Sequence, residues 1–372
     1  MGYIAVKGGR EAINNAINFM KQNRGGAETP PITVDQIKDQ LGLAVDRIMG
    51  EGSVYAPNLA ALALKQAAGD TLEAAFIMRA YRTTQPRVGY SEMIDVSQMR
   101  VIRRISAAFK EIPGGQVLGP TSDYTLRLLD FDLVNMSQSA HQKELQRVLQ
   151  EVGEPEPLPL TFPKVVNILK NEDLLSQNAS STEKNDIWDI TRNAVSFPAP
   201  RSAALQTMAR GETGGLLALA YSNMRGYGSV HPTVGELRVG YLPLLHKNPY
   251  SKSVETLGEI KVTECEIIAH VDTPEGNPKF SIGYGICFGH NETKAISMAV
   301  LDRSIQSEEP EAPSEDQEFV LAHVDGIESM GFCNHFKLPH YVTFQSALDR
   351  LRKARYEHKY QGVAQPAQEP ET

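Results

Sequence analysis

The sequence predicts an α+β fold: an N-terminal helical layer packed with a mixed, largely antiparallel sheet, and further helices in the C-terminal half. Three observations carry this. Helix caps and apolar stripes of period 3.6 fill the first 130 residues, and alternating stretches of period two cluster in the C-terminal half. The strands follow one another with little βα rhythm, which disfavours a doubly wound sheet.

In order along the chain, "YIAVKGGREAI" reads as a strand, two glycines and a helix start, with Lys7 beside free backbone N–H groups. "TVDQIKDQLGLAVDRIMGEG" opens with Thr33 and Gln36 in capping-box register and ends at Gly50 and Gly52. "NLAALALKQAAGDTLEAAFIMRAYRTTQP" predicts a helical hairpin: Asn58 caps the first arm, Gly69 ends it, and Asp70 with Glu73 starts the second. "SQMRVIRRISAAFK" reads as a basic helix whose Arg100, Arg103 and Arg104 face solvent or another subunit, running into the glycine-rich "EIPGGQVLGPTSDY".

After "HQKELQRVLQEV", one short helix, the stretches "GEPEPLPLTFP" and "SQNASSTEKND" predict an insertion or arm outside the core. "GGLLALAYSNMRGYG" is a helix closed by glycine, while "VGELRVGYLPL", "GEIKVTECEIIAHVD" and "FSIGYGICFG" are strands. Asn291 caps "ETKAISMAVLDRSI", "FVLAHVD" reads as a further strand, and "TFQSALDRLRKARY" as a final helix. The expected organisation is a mainly helical region 1–134, a polar, proline-rich arm 135–195, an α+β region 196–350 and a polar tail 351–372.

With 41% hydrophobic and 22% charged residues, the 372-residue chain has ordinary globular composition. A net charge of −8 argues against non-specific nucleic-acid binding, which needs a basic surface to displace counterions. No apolar run approaches the roughly 18 residues of a membrane span, and the N-terminus lacks a signal-peptide core. Cys265, Cys287 and Cys333, widely spaced, indicate no disulfide framework; a reducing cytoplasm fits best.

No GxxxxGK[ST], HExxH, CxxC or GxSxG motif is present. "TECEI" puts Glu264 and Glu266 on one strand face beside Ile260, Val262 and Ile268, costly unless the carboxylates are paired or do acid–base work; a solvated sheet end explains them equally. "MRGYGSVHPTVGELRVGY" gathers Arg225, His231, Glu236 and Arg238 around glycines, either an anion pocket with the two arginines as clamps or a glycine-closed helix before a polar strand edge. "GFCNHFKLPHY" holds His335 and His340 at a spacing that suits neither helix nor strand, so the rings converge only if the chain turns, and Pro339 restricts Leu338 to extended geometry. Two imidazoles are half a zinc site or two ordinary histidines.

Several stretches, among them "AVKGGREAI", "RRISAAFKEIPGGQVLGPTSDYTLRLLDF", "LLALAYSNMRGYGSVHP", "GYGICFGHNETKAISMAVLDR" and "HFKLPHYVTFQ", resemble the PhnI family, core subunits of bacterial carbon–phosphorus lyase. The resemblance covers nearly the whole chain except the 135–195 arm and the tail after about residue 350. It implies a two-fold symmetric assembly, two copies of this chain, with the G, H and J subunits. It further implies that, with G, H and the ABC-type L protein, methylphosphonate displaces adenine from ATP to give α-D-ribose 1-methylphosphonate 5-triphosphate. Alone, such a subunit is described as a purine nucleosidase on nucleoside triphosphates. The family's HxxxxH zinc pair matches His335 and His340, and magnesium is expected to arrive with ATP. For ribosyl transfer, Glu236, Glu264 and Glu266 are the expected catalytic carboxylates, with Arg225, His231 and Arg238 binding substrate. The rival reading is a non-catalytic scaffold that lends a zinc site to a shared interface.

Overall fold

The computed structural model describes residues 9–26, 28–153, 158–176, 187–228, 231–271, 278–338 and 341–361. The strand expected before Gly8, with Lys7, therefore lies outside the described residues. The chain divides into two units, Met1–Pro31 with Glu328–Thr372, and Ile32–Ile327. The first unit holds α1 (Arg10–Gly25), none of whose residues is buried.

The larger unit begins with the expected helical layer: α2 (Val34–Gln40), α3 (Gly42–Gly52), α4 (Pro57–Gln66) and α5 (Thr71–Thr83). Thr33 and Gln36 form the reciprocal capping box, and Leu41, with non-helical torsions, splits the expected single helix into α2 and α3. Asp70 caps α5 through the backbone N–H groups of Leu72 and Glu73. Asn58 is not a cap: α4 starts at Pro57, whose missing N–H suits the first helical position. Ile37, Val45, Ile48, Ala60, Leu64 and Met78 form the layer's own apolar core.

One antiparallel sheet follows, in order β1 (Arg100–Ile105), β2 (Pro232–Lys247), β3 (Val254–Val271) and β4 (Lys279–Phe288). The fold is α+β. Asp46 of α3 ties the helical layer to the sheet, accepting from Lys261 Nζ and from the His290 backbone N–H, each at 2.9 Å.

β1 overturns the basic-helix expectation. Arg100, Arg103 and Arg104 sit at helical spacing, but a bulge between Val101 and Arg103 breaks the strand's alternation, so Arg103 and Arg104 are both buried. The glycine-rich loop then folds back, and Arg104 and Val117 exchange both backbone hydrogen bonds at 2.7 Å.

Further along come α6 (Gln138–Val152), fully exposed, and α7 (Val166–Asn171). The expected arm is only partly outside the core, because Phe162, Val165 and Leu169 are about as buried as any strand residue. α8 (Arg201–Arg210), α9 (Thr213–Ser222) and α10 (Glu292–Ser304) cover one sheet face. That face is lined on β4 by the small residues Ser281, Gly283, Gly285 and Cys287, and a Cβ at Gly283 or Gly285 would collide with the Ala299 or Ala295 carbonyl of α10.

"FVLAHVD" forms helix α11 (Gln317–His323) instead of a strand: Asp316 caps it by accepting from the Phe319 N–H at 2.8 Å. α12 (Gly326–Asn334) crosses the unit boundary in sequence, a 3-10 turn covers His335–Lys337, and α13 (Tyr341–Gln361) ends the described chain. No described helix is long and apolar enough to cross a membrane.

Candidate functional site

Strand register brings the carboxylates together. Glu236 on β2 lies opposite Glu266 on β3, Arg238 opposite Glu264, and Arg104 on β1 opposite Arg238. These side chains occupy the face away from α10, with Tyr284 of β4 opposite Glu266. Lys164, just before α7, reaches into the cluster from above the sheet, so three cations meet three carboxylates.

Charges this deep persist only when paired. Glu236 uses both oxygens, accepting from Arg104 Nε at 2.6 Å and from the Val165 backbone N–H at 3.2 Å. Glu264 accepts from Lys164 Nζ at 2.8 Å, from Tyr284 Oη at 3.0 Å and from Arg238 Nε at 2.9 Å. Against a burial penalty that pushes it up, Lys164 and Arg238 hold the Glu264 carboxyl below its ordinary value. Glu266 is pushed the other way: burial raises it, Lys164 offsets only part of that rise, and the Glu264 and Glu236 charges add to it.

Glu266 also keeps unused capacity. One of its oxygens lies 2.9 Å from Lys164 Nζ, while Oε2 is shielded without a hydrogen-bond partner among the described residues, as is Arg238 Nη1. Buried polar atoms left without partners mark a place for water or a ligand. Beside the cluster, Val96, Val262 and Ile286 contribute to an apolar cavity of ≈ 460 Å³; the Val96 carbonyl accepts from Arg238 Nη2 at 3.2 Å, and Ile286 lies opposite Glu264.

Four of the six residues expected for ribosyl transfer therefore converge: Glu236, Arg238, Glu264 and Glu266. Arg225 and His231 do not join them. Arg225 is exposed in the π-helical turn Asn223–Tyr227, closed by Gly226 at φ 104°, and hydrogen-bonds the Tyr221 hydroxyl over whose ring it sits. His231 is exposed at the start of β2. The expected clamp of Arg225 with Arg238 is not formed, since Arg238 is buried and paired with Glu264.

Sequence reasoning missed Arg104, Lys164 and Tyr284. The proline beside Lys164 hid it in an apparent arm, and Tyr284 passed as one apolar residue in an alternating strand.

His335 stands in the 3-10 turn, its Nδ1 hydrogen-bonded to the Phe332 carbonyl and its ring 3.9 Å, centroid to centroid, from Phe336. Leu338 is extended, as the following proline requires. An imidazole held at Nδ1 by a carbonyl has the orientation and tautomer of a ligating histidine, so His335 fits a zinc ligand. His340 lies outside the described residues, and among those described no three His, Cys, Asp or Glu side chains are grouped to hold a metal ion.

Fold and cluster together define an α+β protein in which two neighbouring buried carboxyl groups are pushed in opposite directions from their ordinary value. The chain belongs to the PhnI family, described as "Bacterial phosphonate metabolism protein (PhnI)", whose profile matches residues 2–358. It is 52% identical, over 99% of each chain, to a Stutzerimonas stutzeri protein named "Putative C-P lyase subunit protein HtxH". It is also 46% identical to a protein of Rhizobium meliloti (strain 1021), over 96% of this chain and 95% of the relative, and 44% identical to one of Escherichia coli (strain K12), over 96% and 99%. Both are named "Alpha-D-ribose 1-methylphosphonate 5-triphosphate synthase subunit PhnI".

Proposed function

We propose that this chain is a catalytic subunit of a carbon–phosphorus lyase system. Acting with G, H and L subunits, it displaces adenine from ATP by methylphosphonate to give α-D-ribose 1-methylphosphonate 5-triphosphate. The observation that carries this is the divergence of Glu264 and Glu266, two strand positions apart on one face. Glu266, pushed up by burial, is assigned the proton donor, and Glu264, held down by Lys164 and Arg238, the anion. As the bond from the anomeric carbon to the purine nitrogen breaks, Glu266 gives its proton to the departing base, and a phosphonate oxygen forms the new bond to carbon. With the chain alone, water attacks instead and its proton returns to the Glu266 carboxylate, which is purine nucleosidase action on nucleoside triphosphates.

Only Glu266 among the three carboxylates has an oxygen left for substrate. Glu264 acts as a positioning residue, fixing Lys164 and Tyr284, and Glu236 does the same for Arg104. Magnesium, carried mainly by the phosphates, arrives with ATP, and use of ATP puts the reaction in the cytoplasm.

Assembly with the G, H and J subunits, two copies of each chain in a symmetric complex, is supported by a surface that a lone chain leaves in water. Leu126, Leu128, Leu129, Phe131 and Val134 are 71% to 86% exposed within nine residues. His335 with His340 contributes zinc ligands in that complex. The scaffold alternative draws on the saturation of Glu236 and Glu264, which leaves a single carboxylate for chemistry.

Incubating the purified chain with GTP or ATP and measuring free purine decides between these readings. Glu266→Gln should cut release by about 10²- to 10⁴-fold with the fold intact. Unchanged release by that variant, alone and in the complex, would sink the catalytic assignment.

A further inference from the structure

Arg82, near the end of α5, is half-buried, yet its side chain makes no hydrogen bond or ion pair with any described residue. The nearby carboxylates are already taken. Asp325 receives both of its short hydrogen bonds, 2.8 and 2.7 Å, from Arg79, and Asp189 lies 2.6 Å from Arg87. Arg210 is short of partners too: its buried Nε is 3.6 Å from Asp325, beyond hydrogen-bond reach. Burial first, then the charges of Arg210, Arg79 and Arg87, push the Arg82 guanidinium below its ordinary value, with Asp189 a partial offset.

Guanidinium groups crowded in this way leave local positive charge uncompensated, which an anion would relieve. The chain's net charge of −8 makes this concentration the opposite of its average surface. Arg82 stands in the walls of two adjoining spaces. One is the apolar cavity of ≈ 460 Å³, a size that takes a small-molecule ligand. The other is an open cleft of ≈ 1140 Å³ that also presents Arg87, Arg192 and His246.

We propose that this cleft, through Arg82 and Arg192, binds the phosphate chain of a nucleoside triphosphate whose nucleoside end enters the apolar cavity. That the polyanion is a nucleotide rests on the function proposed above; that the cleft binds a phosphate chain does not. Substrate anchoring thus passes from Arg225 and Arg238 to arginines on α5 and on the segment before α8. The cavity's wall at Val96 and Ile286 adjoins the carboxylate cluster, so a nucleotide held here has its base end beside the sheet face that carries Glu266.

The test titrates the full-length chain with inorganic tripolyphosphate, ATP, adenosine and methylphosphonate. Arg82→Gln and Arg192→Gln are compared with Arg100→Gln, an exposed arginine paired with Glu259 and lining neither space. Each of the first two substitutions should weaken tripolyphosphate and ATP by about tenfold or more, as loss of a charge-assisted contact does, and leave adenosine unchanged. Arg82→Gln strands no partner and relieves like-charge crowding, so its thermal unfolding should match or exceed wild type.

Equal tripolyphosphate affinity in all three variants, or none in wild type, overturns the site. So does Arg82-dependent binding of methylphosphonate without that of ATP, which would make the cleft a phosphonate site. Arg82-dependent tripolyphosphate binding alongside undiminished purine release in Glu266→Gln would keep this site and reject the catalytic reading. Abolished release in Glu266→Gln with unaltered ATP binding in the arginine variants would do the reverse.

Discussion

Arg104 Nε donates to Glu236 Oε1 at 2.6 Å, with the arginine 0% and the glutamate 2% exposed. The same guanidinium takes the carbonyls of Pro113, Gly115 and Pro163 at 2.8 to 2.9 Å and lies 5.0 Å from the Phe162 ring centroid. One side chain therefore joins β1, β2, the glycine-rich loop and the segment that delivers Lys164.

Removing one member of this pair leaves the other charge buried and alone. Arg104→Met should cost about 3–5 kcal/mol in urea unfolding of the full chain, whereas Arg104→Met combined with Glu236→Leu should recover a large part of it. A single variant within about 0.5 kcal/mol of wild type, the range of a neutral surface change, would show that the pair does not hold the segment.

Glu264 and Glu266 should give stability opposite pH dependences. Glu264, depressed in the folded state, contributes stability that is present above the ordinary value of 4.5 and is lost as pH falls through its lower folded value. Glu266, raised in the folded state, weakens the fold as pH climbs from 4.5 through its higher folded value. Urea midpoints followed from about pH 3 to 8 should show Glu264→Gln flattening the acid limb and Glu266→Gln flattening the fall on the other side. Identical profiles for the two variants would contradict the assignment.

Gly283→Ala should be disruptive out of proportion to one methyl group. The added Cβ meets the Ala299 carbonyl and the Arg303 Cβ, both on α10, so helix and sheet must separate. A loss of about 1–3 kcal/mol or more is expected, against little change for alanine at exposed Gly25, where a Cβ meets nothing. Equal thermal midpoints would mean that α10 does not pack this tightly on β4.

Replacing His335 and His340 together by alanine should remove zinc from the assembled complex, read by elemental analysis, without altering unfolding of Ile32–Ile327 in the full chain. Stoichiometric zinc in the double variant would reject these ligands.

Much of the fold was legible locally. The alternation in "FSIGYGICFG" gave β4 its two faces, and Asp70 and Thr33 marked their helix starts, because capping and strand period depend on neighbours in sequence. "RVIRR" misled for a physical reason: arginines at i, i+3 and i+4 imitate a helix face, and a bulge hides the strand's period. "EDQEFVLAH" carried a capping aspartate, yet its short apolar run fits strand and helix equally.

For the site, the sequence by itself determined that Glu264 and Glu266 share a face and that Glu236 and Arg238 lie on another strand, "VGELRVGYLPL". It also determined that Leu338 is extended before Pro339. Only the tertiary structure decided which charges meet. Register across β1, β2 and β3 set Arg238 against Glu264, and the apparent arm supplied Lys164. Folding also left the Arg82 guanidinium without an ion pair among the described residues while spending Arg238 on one. Pairing of buried charges is a long-range competition for a few partners, and neither spacing nor composition records who wins it.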